Sequence, residues 1–288
     1  DEARLRLVSL LLVAALTDGA AQDGRAEPAL AGAHARQLLV DYGGDYFGAL
    51  FAGQAVAAGG FQKENGGLGD ADGLADLALS VKAAALAPAG VAHYSLQDYF
   101  RQILEQPADR LRYCQALAGL AVYGKPVLTE IKLLLSDADL QAGERLWLIW
   151  GLYQCGDRET AYRELESADL RRGEMSADEL ALLAVLYACR GSLGDTLYTL
   201  ADAREKNGAD SAYAVESVLI ARLLLPVTER TPGEFNYSVD GRTIEVVIGE
   251  NMDYLLALNT LQGDIRFQTG TKGLYYCYIY KLSDYVTD

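Results

Sequence analysis

The sequence predicts a mostly α-helical protein built of helical hairpins, followed by a small antiparallel β module. Three observations support this fold class. Apolar residues recur at spacings of three and four through residues 1–226, as they do on one face of a helix. Glycines at positions 124, 156 and 191 separate long helical segments from shorter ones. Beyond residue 226 apolar and polar residues alternate, which is typical of strands.

Five helices are predicted in the first part of the chain. Pro28 suits the first turn of a helix, and Gly43-Gly44 and Gly59-Gly60 are helix ends. Ser95 and Asp98 have the spacing of a capping box, which favours a helix start at Ser95. The predicted helices are Arg4–Thr17, a second from near Pro28 to Tyr42, Tyr46–Ala58, Asp72–Ala87 and a fifth from Ser95.

Three hairpin units follow, each with a long helix, a glycine turn and a second helix, which is shorter in the first two units. Glycine suits these turns because it adopts the left-handed backbone conformation that ends many helices. Small residues such as Ala116, Ala118 and Gly119 in the long helices allow close packing between neighbours. The predicted units are Ala108–Tyr123 with Val127–Leu135, Ala142–Cys155 with Arg158–Leu165, and Ala177–Arg190 with Leu193–Lys206.

The C-terminal segment predicts short strands. The dipeptide Asp240-Gly241 is a strong two-residue hairpin turn between the predicted strands Phe235–Val239 and Thr243–Ile248. We therefore expect a helical domain at residues 1–231 and a β module at residues 232–288. Further predicted strands are Tyr254–Leu258, Asp264–Phe267 and Leu274–Tyr280.

Charge and hydropathy narrow the classes of partner. The 288 residues hold 25 basic and 40 acidic side chains, a formal net charge of −15. Such a surface repels nucleic acid and anionic membranes, so neither is expected as a partner. The apolar run Leu5–Leu16 is too short to cross a bilayer, and we interpret it as a buried helix. Because the chain begins with Asp1 instead of Met, we expect it to be part of a larger modular protein.

Cysteine, histidine and tryptophan residues are interpreted mainly as core. No Cys-x-x-Cys pair is present, and Cys114, Cys155 and Cys189 follow apolar helical stripes, which favours reduced, buried thiols over disulfides. With His34 and His93 as the only histidines, a zinc site has few possible ligands, and no cofactor is expected. Core packing is also the favoured interpretation of Trp147 and Trp150, with sugar stacking as the alternative.

A glycine-rich loop at residues 59–69 has three possible interpretations. A phosphate loop would need a preceding strand and a Lys-Ser/Thr pair, which the flanks lack. Asp70 and Asp72 are weak calcium candidates, without the acidic ligand expected at the twelfth position. The favoured interpretation is a structural crossing in which Phe61 and Leu68 point inward and Asp70 or Asp72 caps the next helix. Its predicted structural residues are Gly59, Gly60, Phe61, Gly66, Gly67 and Gly69.

Three segments together carry a family resemblance that extends over roughly residues 30–280. They are the glycine-rich entry Gly59–Leu79, the hairpins that include Leu111–Pro126 and Leu146–Asp157, and the exit Phe235–Gly241. Their order resembles the α/α toroids of prenyltransferase β-subunits, terpene cyclases and the thioester domains of α2-macroglobulin and complement proteins. Among these, the chain is most similar to bacterial α2-macroglobulin-like proteins. The resemblance implies an α/α toroid whose alternate helices line inner and outer layers.

The catalytic motifs of these relatives are not matched. Thioester-bearing members carry Cys-Gly-Glu-Gln, whereas here Cys155-Gly156 is followed by Asp157-Arg158. Terpene cyclases of one class use Asp-x-Asp-Asp, whereas Gly73 follows Asp72 here. We therefore expect no catalytic residues and no enzymatic activity.

The resemblance implies a non-catalytic protein-interaction domain of a secreted or surface-attached bacterial protein. Its partner would be a protein, with proteases among the candidates, in a protease-trapping or surface-defence role. One alternative is a tetratricopeptide-like α-solenoid scaffold, which residues 107–206 alone would fit. Another is a carbohydrate-active enzyme built on an α/α toroid, with two scattered carboxylates as its catalytic pair.

Overall fold

Ten α-helices, two short 3-10 helices (Ala58–Phe61 and Leu225–Val227) and three β-strands form the regular structure of the described residues. The computed structural model describes residues 9–10, 12–13, 16, 25–42, 58–105, 109–168, 170–208, 212–227, 233–239, 242–248 and 266–269. The helices are α1 (Ala26–Tyr42), α2 (Leu77–Leu86), α3 (His93–Leu104), α4 (Arg110–Val122), α5 (Leu128–Leu135), α6 (Ala142–Gln154), α7 (Arg158–Ser167), α8 (Ala177–Cys189), α9 (Leu193–Asn207) and α10 (Ala214–Leu224). The strands are β1 (Gly233–Val239), β2 (Arg242–Ile248) and β3 (Arg266–Thr269).

Aspartates and glycines mark the ends of several helices. Asp76 begins α2 by accepting a hydrogen bond from the Leu79 N–H at 2.9 Å, and Asp109 caps α4 in the same way. The predicted turn glycines 124, 156 and 191 all have positive φ angles, of 65°, 85° and 79°. The predicted glycine turns between the helices of each hairpin are therefore confirmed.

Burial divides the helices into two sets. Four of the even-numbered helices contain unbroken runs of buried residues, which places their whole circumference inside the protein. Two of the odd-numbered helices instead bury a single stripe, such as Ile131 and Leu135 on α5 or Ala161 and Leu165 on α7. The buried runs are Cys114–Ala121, Leu146–Leu152, Leu180–Leu186 and Ala214–Ala221.

The even-numbered helices contact one another in a closed series. Helix α2 packs on α4, α4 on α6, α6 on α8 and α8 on α10, and α10 returns to contact α2. We call these five helices the central ring. Helices α3, α5, α7 and α9 pack against its members, and α1 packs against α10. The guanidinium of Arg222 on α10 donates to the carbonyl oxygens of Ala85 and Leu86 at the end of α2, which fastens the closing contact.

The three strands form an antiparallel sheet in the order β2-β1-β3. Val239 pairs with Arg242, which leaves a two-residue connection where Asp240-Gly241 predicts a hairpin turn. Phe235 pairs with Val246 on one side and Thr269 on the other. The prediction of a mostly helical chain with a small antiparallel sheet is confirmed.

Several predicted boundaries need correction. Helix α2 begins at Leu77 instead of Asp72 because Asp76 is its cap, and α3 begins at His93 without a side-chain cap instead of at Ser95. The predicted strand Asp264–Phe267 corresponds to β3, shifted toward the C-terminus. The predicted helix Tyr46–Ala58, apart from its last residue, and the strands Tyr254–Leu258 and Leu274–Tyr280 lie outside the described residues.

Candidate functional site

The glycine-rich loop folds back on itself through backbone hydrogen bonds. The Lys63 N–H donates to the Gly67 carbonyl at 2.8 Å, and the Gly69 N–H donates to the Phe61 carbonyl at 3.1 Å. Leu68 is fully buried, whereas Phe61 is only half-buried against the core. The Leu68 N–H also donates to the Ser80 hydroxyl at 2.8 Å, which connects the loop to α2.

Close packing explains the small residues at several positions of this loop. A Cβ atom on Gly67 would lie 2.7 Å from the Ala75 Cβ and 2.8 Å from a ring carbon of Tyr99. A Cβ atom on Gly60 would meet nothing within 4 Å. Cβ atoms on Gly66 and Gly69 would come closer still, 2.1 Å from the Ser95 carbonyl oxygen and 2.2 Å from the Leu74 carbonyl oxygen, so Gly60 is the one uncrowded glycine of this loop.

Asp70 and Asp72, which follow the loop, do not cap the next helix, so that expectation was wrong. The cap is Asp76, four residues beyond Asp72. The Asp70 carboxylate instead accepts a hydrogen bond from the Ala26 N–H at 2.7 Å, at the start of α1. Asp70 therefore caps a helix that lies 44 residues earlier in the sequence, while Asp72 is exposed.

The tryptophans and cysteines lie in or against the core. Trp147 and Trp150 are 5% and 1% exposed, and their rings stack with centroids 5.4 Å apart, so neither face is open to a sugar. Cys114, Cys155 and Cys189 are free thiols, of which only Cys114 is fully buried and the other two are half-buried. Burial raises the pKa of Cys114 and of Cys189 to about 12.

A buried cluster of charges lies where the central ring closes. The Lys82 ammonium on α2 donates to the Glu216 carboxylate on α10, and these side chains are 14% and 1% exposed. The second oxygen of Glu216 has no hydrogen-bond partner among the described residues. Burial and the nearby charge of Glu216 raise the pKa of the Glu27 carboxyl on α1. Since the ammonium is engaged by a carboxylate, Lys82 serves the packing of α2 on α10.

The start of α10, next to this charge cluster, holds a residue with a strained backbone and several hydrogen bonds. Tyr213 has a left-handed backbone with φ of 62°, an uncommon conformation for a residue with a Cβ. Its hydroxyl donates to the Asp178 carboxylate at 2.9 Å and accepts from the Asn207 amide at 3.3 Å. The backbone N–H groups of Val215 and Ala214 face the Glu27 carboxylate and act to lower its pKa. This corner is therefore held by interactions among α1, α8, α9 and α10.

An open cleft of about 610 Å³ lies at the carboxyl ends of α2, α4 and α6 and at the amino end of α3. We call it the ring-end cleft. Its volume lies within the range of small-molecule sites, about 300–1,000 Å³. It is lined by Ala84, Ala85, Ala87, His93, Tyr94, Gln97, Val122, Tyr123, Lys125 and Gln154.

Polar groups without protein partners line this cleft. Gln97 is only 9% exposed, and its side-chain amide, which is not sealed from solvent, has no hydrogen-bond partner within the described parts of the chain. The same is true of the half-buried Gln154 amide and Lys125 ammonium. His93 Nδ1 and the Tyr123 hydroxyl lie 3.1 Å apart, and burial raises the pKa of that phenol to about 12. The Tyr123 hydroxyl thus stays protonated near neutral pH.

No local sequence pattern marks this cleft. The sequence suggests His93 only as a possible zinc ligand, and it does not suggest Tyr94, Gln97, Lys125 or Gln154 as site residues. These residues belong to two separate helices and a turn, so no local motif joins them. The contact of His93 with Tyr123, 30 residues away, is the kind of pairing that a single sequence does not reveal.

Comparison with known proteins identifies no family. No protein-family model matches the chain, and no curated protein matches it. The described residues contain no helix long and apolar enough to cross a bilayer. Nor do they contain a group of three or more His, Cys, Asp or Glu side chains placed to hold a metal ion.

Proposed function

We propose that the chain is a non-catalytic protein-interaction domain of α/α-toroid type, from a secreted or surface-attached bacterial α2-macroglobulin-like protein. The observation that carries this proposal is the closed series of contacts in the central ring. The odd-numbered helices pack against that ring, as the outer layer of a toroid would. The toroid would occupy residues 1–231 and the β module residues 232–288.

Ring closure also separates this proposal from a tetratricopeptide-like solenoid. In a solenoid each repeat contacts only its sequence neighbours, and the first and last repeats stay apart. Here α10 contacts α2 through the Lys82–Glu216 pair and through Arg222. We therefore favour the toroid as the scaffold on which a partner protein docks.

The protein-binding role rests on the resemblance of the glycine-rich entry, the hairpins and the strand exit to bacterial α2-macroglobulin-like proteins. In that family the domain belongs to a large modular protein that traps proteases or contributes to surface defence. The partner would accordingly be a protein, with proteases as the first candidates. The acidic surface, with a formal charge of −15, favours a partner with a basic face.

Two measurements test the proposal. Small-angle X-ray scattering should give a radius of gyration of about 19 Å, the value for a compact chain of this length. A value above about 25 Å would favour the solenoid instead.

For the binding role, the chain should form a stoichiometric complex in analytical ultracentrifugation with at least one active-site-blocked protease from a serine, cysteine and metalloprotease set. Failure with every protease would overturn the protease-trapping role, and polysaccharide cleavage by the chain would overturn the non-catalytic assignment.

A further inference from the structure

We propose that the ring-end cleft is a binding site for a neutral oligosaccharide. The inference concerns a small-molecule site and does not depend on the protein-interaction role proposed above. It starts from Gln97 on the wall of the cleft, a residue that is only 9% exposed and whose side-chain amide has no protein partner within the described residues. The polar atoms of this amide are not sealed from solvent, so the amide stays open to the cleft. An amide that is held on the wall of a cleft and open to it can hydrogen-bond to a bound ligand in place of water.

The polar groups of the cleft match hydroxyl groups. An amide side chain offers two N–H donors and one carbonyl acceptor, and a sugar hydroxyl can both donate and accept. Gln97 and Gln154 provide two such amides, and Lys125 adds three donors. Vicinal hydroxyls of a sugar ring could therefore bond to several of these groups at once.

Charge in the cleft favours a neutral ligand. None of the ten lining residues is acidic, and Lys125 carries the single permanent positive charge among them. The carboxyl ends of α2, α4 and α6 lie at the same place, and the carboxyl end of a helix carries a partial negative charge. The amino end of α3, which carries a partial positive charge, lies there too. The three carboxyl ends oppose the positive charges of Lys125 and of this amino end, so the site has little net preference for an anion.

An exposed aromatic ring completes the arrangement. Tyr94 on α3 is 84% exposed and lines the cleft, where its face is open to stack on the apolar face of a sugar ring. Behind it, the Tyr123 hydroxyl is oriented by His93 and remains protonated. The open mouth of the cleft leaves room for an oligosaccharide to continue into solvent.

The experiment is a titration of the 288-residue chain with maltotriose, cellotriose and triacetylchitotriose, followed by protein-observed NMR. At least one of them should bind with a stoichiometry of one. Tyr94→Ala and Gln154→Ala should each weaken the affinity by about tenfold, and Gln97→Leu by at least as much. Tyr198→Ala is the matched control, because Tyr198 is another exposed tyrosine, 62% exposed on α9, and is not among the lining residues.

Three outcomes would overturn the proposal. The first is no binding of any of the three sugars at millimolar concentration. The second is binding that the Tyr94, Gln97 and Gln154 variants leave unchanged while their melting temperatures stay close to that of the unmodified chain. The third is tighter binding, at the same residues, of trigalacturonate or of a trialanine peptide, which would assign the cleft to an anion or to a peptide. A single variant that fails to fold leaves the other two to decide.

Discussion

Lys82 of α2 forms a buried ion pair with Glu216 of α10, across the contact that closes the central ring. The two residues are separated by 134 positions in the sequence. Removing one partner of such a pair leaves the other charge buried without compensation, which is more damaging than removing both. The pair therefore provides a direct test of how strongly the closing contact stabilises the fold.

We expect Lys82→Ala to lower the free energy of unfolding by about 3–5 kcal/mol, measured by urea denaturation, because Glu216 stays buried and unpaired. The double variant Lys82→Met with Glu216→Leu should be nearly as stable as the unmodified chain. Arg101→Ala is the control, since the Arg101–Asp98 pair is more than half exposed and should contribute less than about 1 kcal/mol. Equal losses from the single and double variants would contradict this account.

A second prediction concerns the crowded glycine of the loop. Gly67→Ala should destabilise the chain by about 1–3 kcal/mol, because the new Cβ would press against Ala75 and the Tyr99 ring. Gly60→Ala should stay within about 0.5 kcal/mol, since that Cβ would meet open space. Thermal and urea unfolding of the two variants measure the difference, and similar losses at both positions would refute the packing argument.

Asp70 and Asp72 make a matched pair for a third prediction. Asp70→Ala should lower the unfolding free energy by about 1 kcal/mol, because it removes the cap on the Ala26 N–H. Asp72→Ala should change it by less than about 0.5 kcal/mol. We further expect a calcium chelator to leave the melting temperature unchanged. A drop on chelation that added calcium reverses would make these carboxylates metal ligands instead.

Because His34 resists protonation in the folded state, we expect the free energy of unfolding to fall in mild acid. Burial and the positive charge of Arg222 lower the pKa of His34 to about 4 from an ordinary value near 6.5. Between pH 6.5 and pH 4 the unfolded chain therefore binds a proton that the folded chain resists. We expect the unfolding free energy to fall by up to about 3 kcal/mol as the pH drops through this window.

His34→Gln isolates that contribution. The raised pKa of Glu27 acts in the opposite direction, since it weakens the fold as the pH rises above the ordinary value of 4.5 for a glutamate. Glu27 is present in both proteins, so its contribution cancels in the difference in unfolding free energy between the unmodified chain and His34→Gln. If that difference is the same at pH 7 and pH 4.5, the assignment to His34 is wrong.

The cysteines should react slowly with a thiol reagent in the native protein. Burial raises the pKa of each of Cys114, Cys155 and Cys189, so little thiolate is present near pH 8. We expect Cys114 to be the slowest of the three because it is fully buried, and all three to react quickly in denaturant. Mass spectrometry after brief labelling identifies each site, and rapid native labelling of Cys114 would contradict the structure.

Features that depend only on residues close together in the sequence could be predicted from the sequence. Turn glycines such as Gly124 end helices through their own backbone conformation, so their role is visible in a short window. Helix capping was less predictable. Asp70 was assigned to the helix that follows it because caps usually act nearby, whereas it caps a helix 44 residues upstream. The ring-end cleft escaped detection for the same reason, because its residues meet only after the helices have packed.

Closure of the central ring also has a consequence for the order of folding. Each helical hairpin forms from contacts close in sequence, and such contacts lose little chain entropy as they form. The contact between α2 and α10 is different, because the chain between Lys82 and Glu216 must first be arranged by the intervening hairpins. We therefore expect the hairpins to assemble early and the joint between α2 and α10 to form last, as the slow kinetic step.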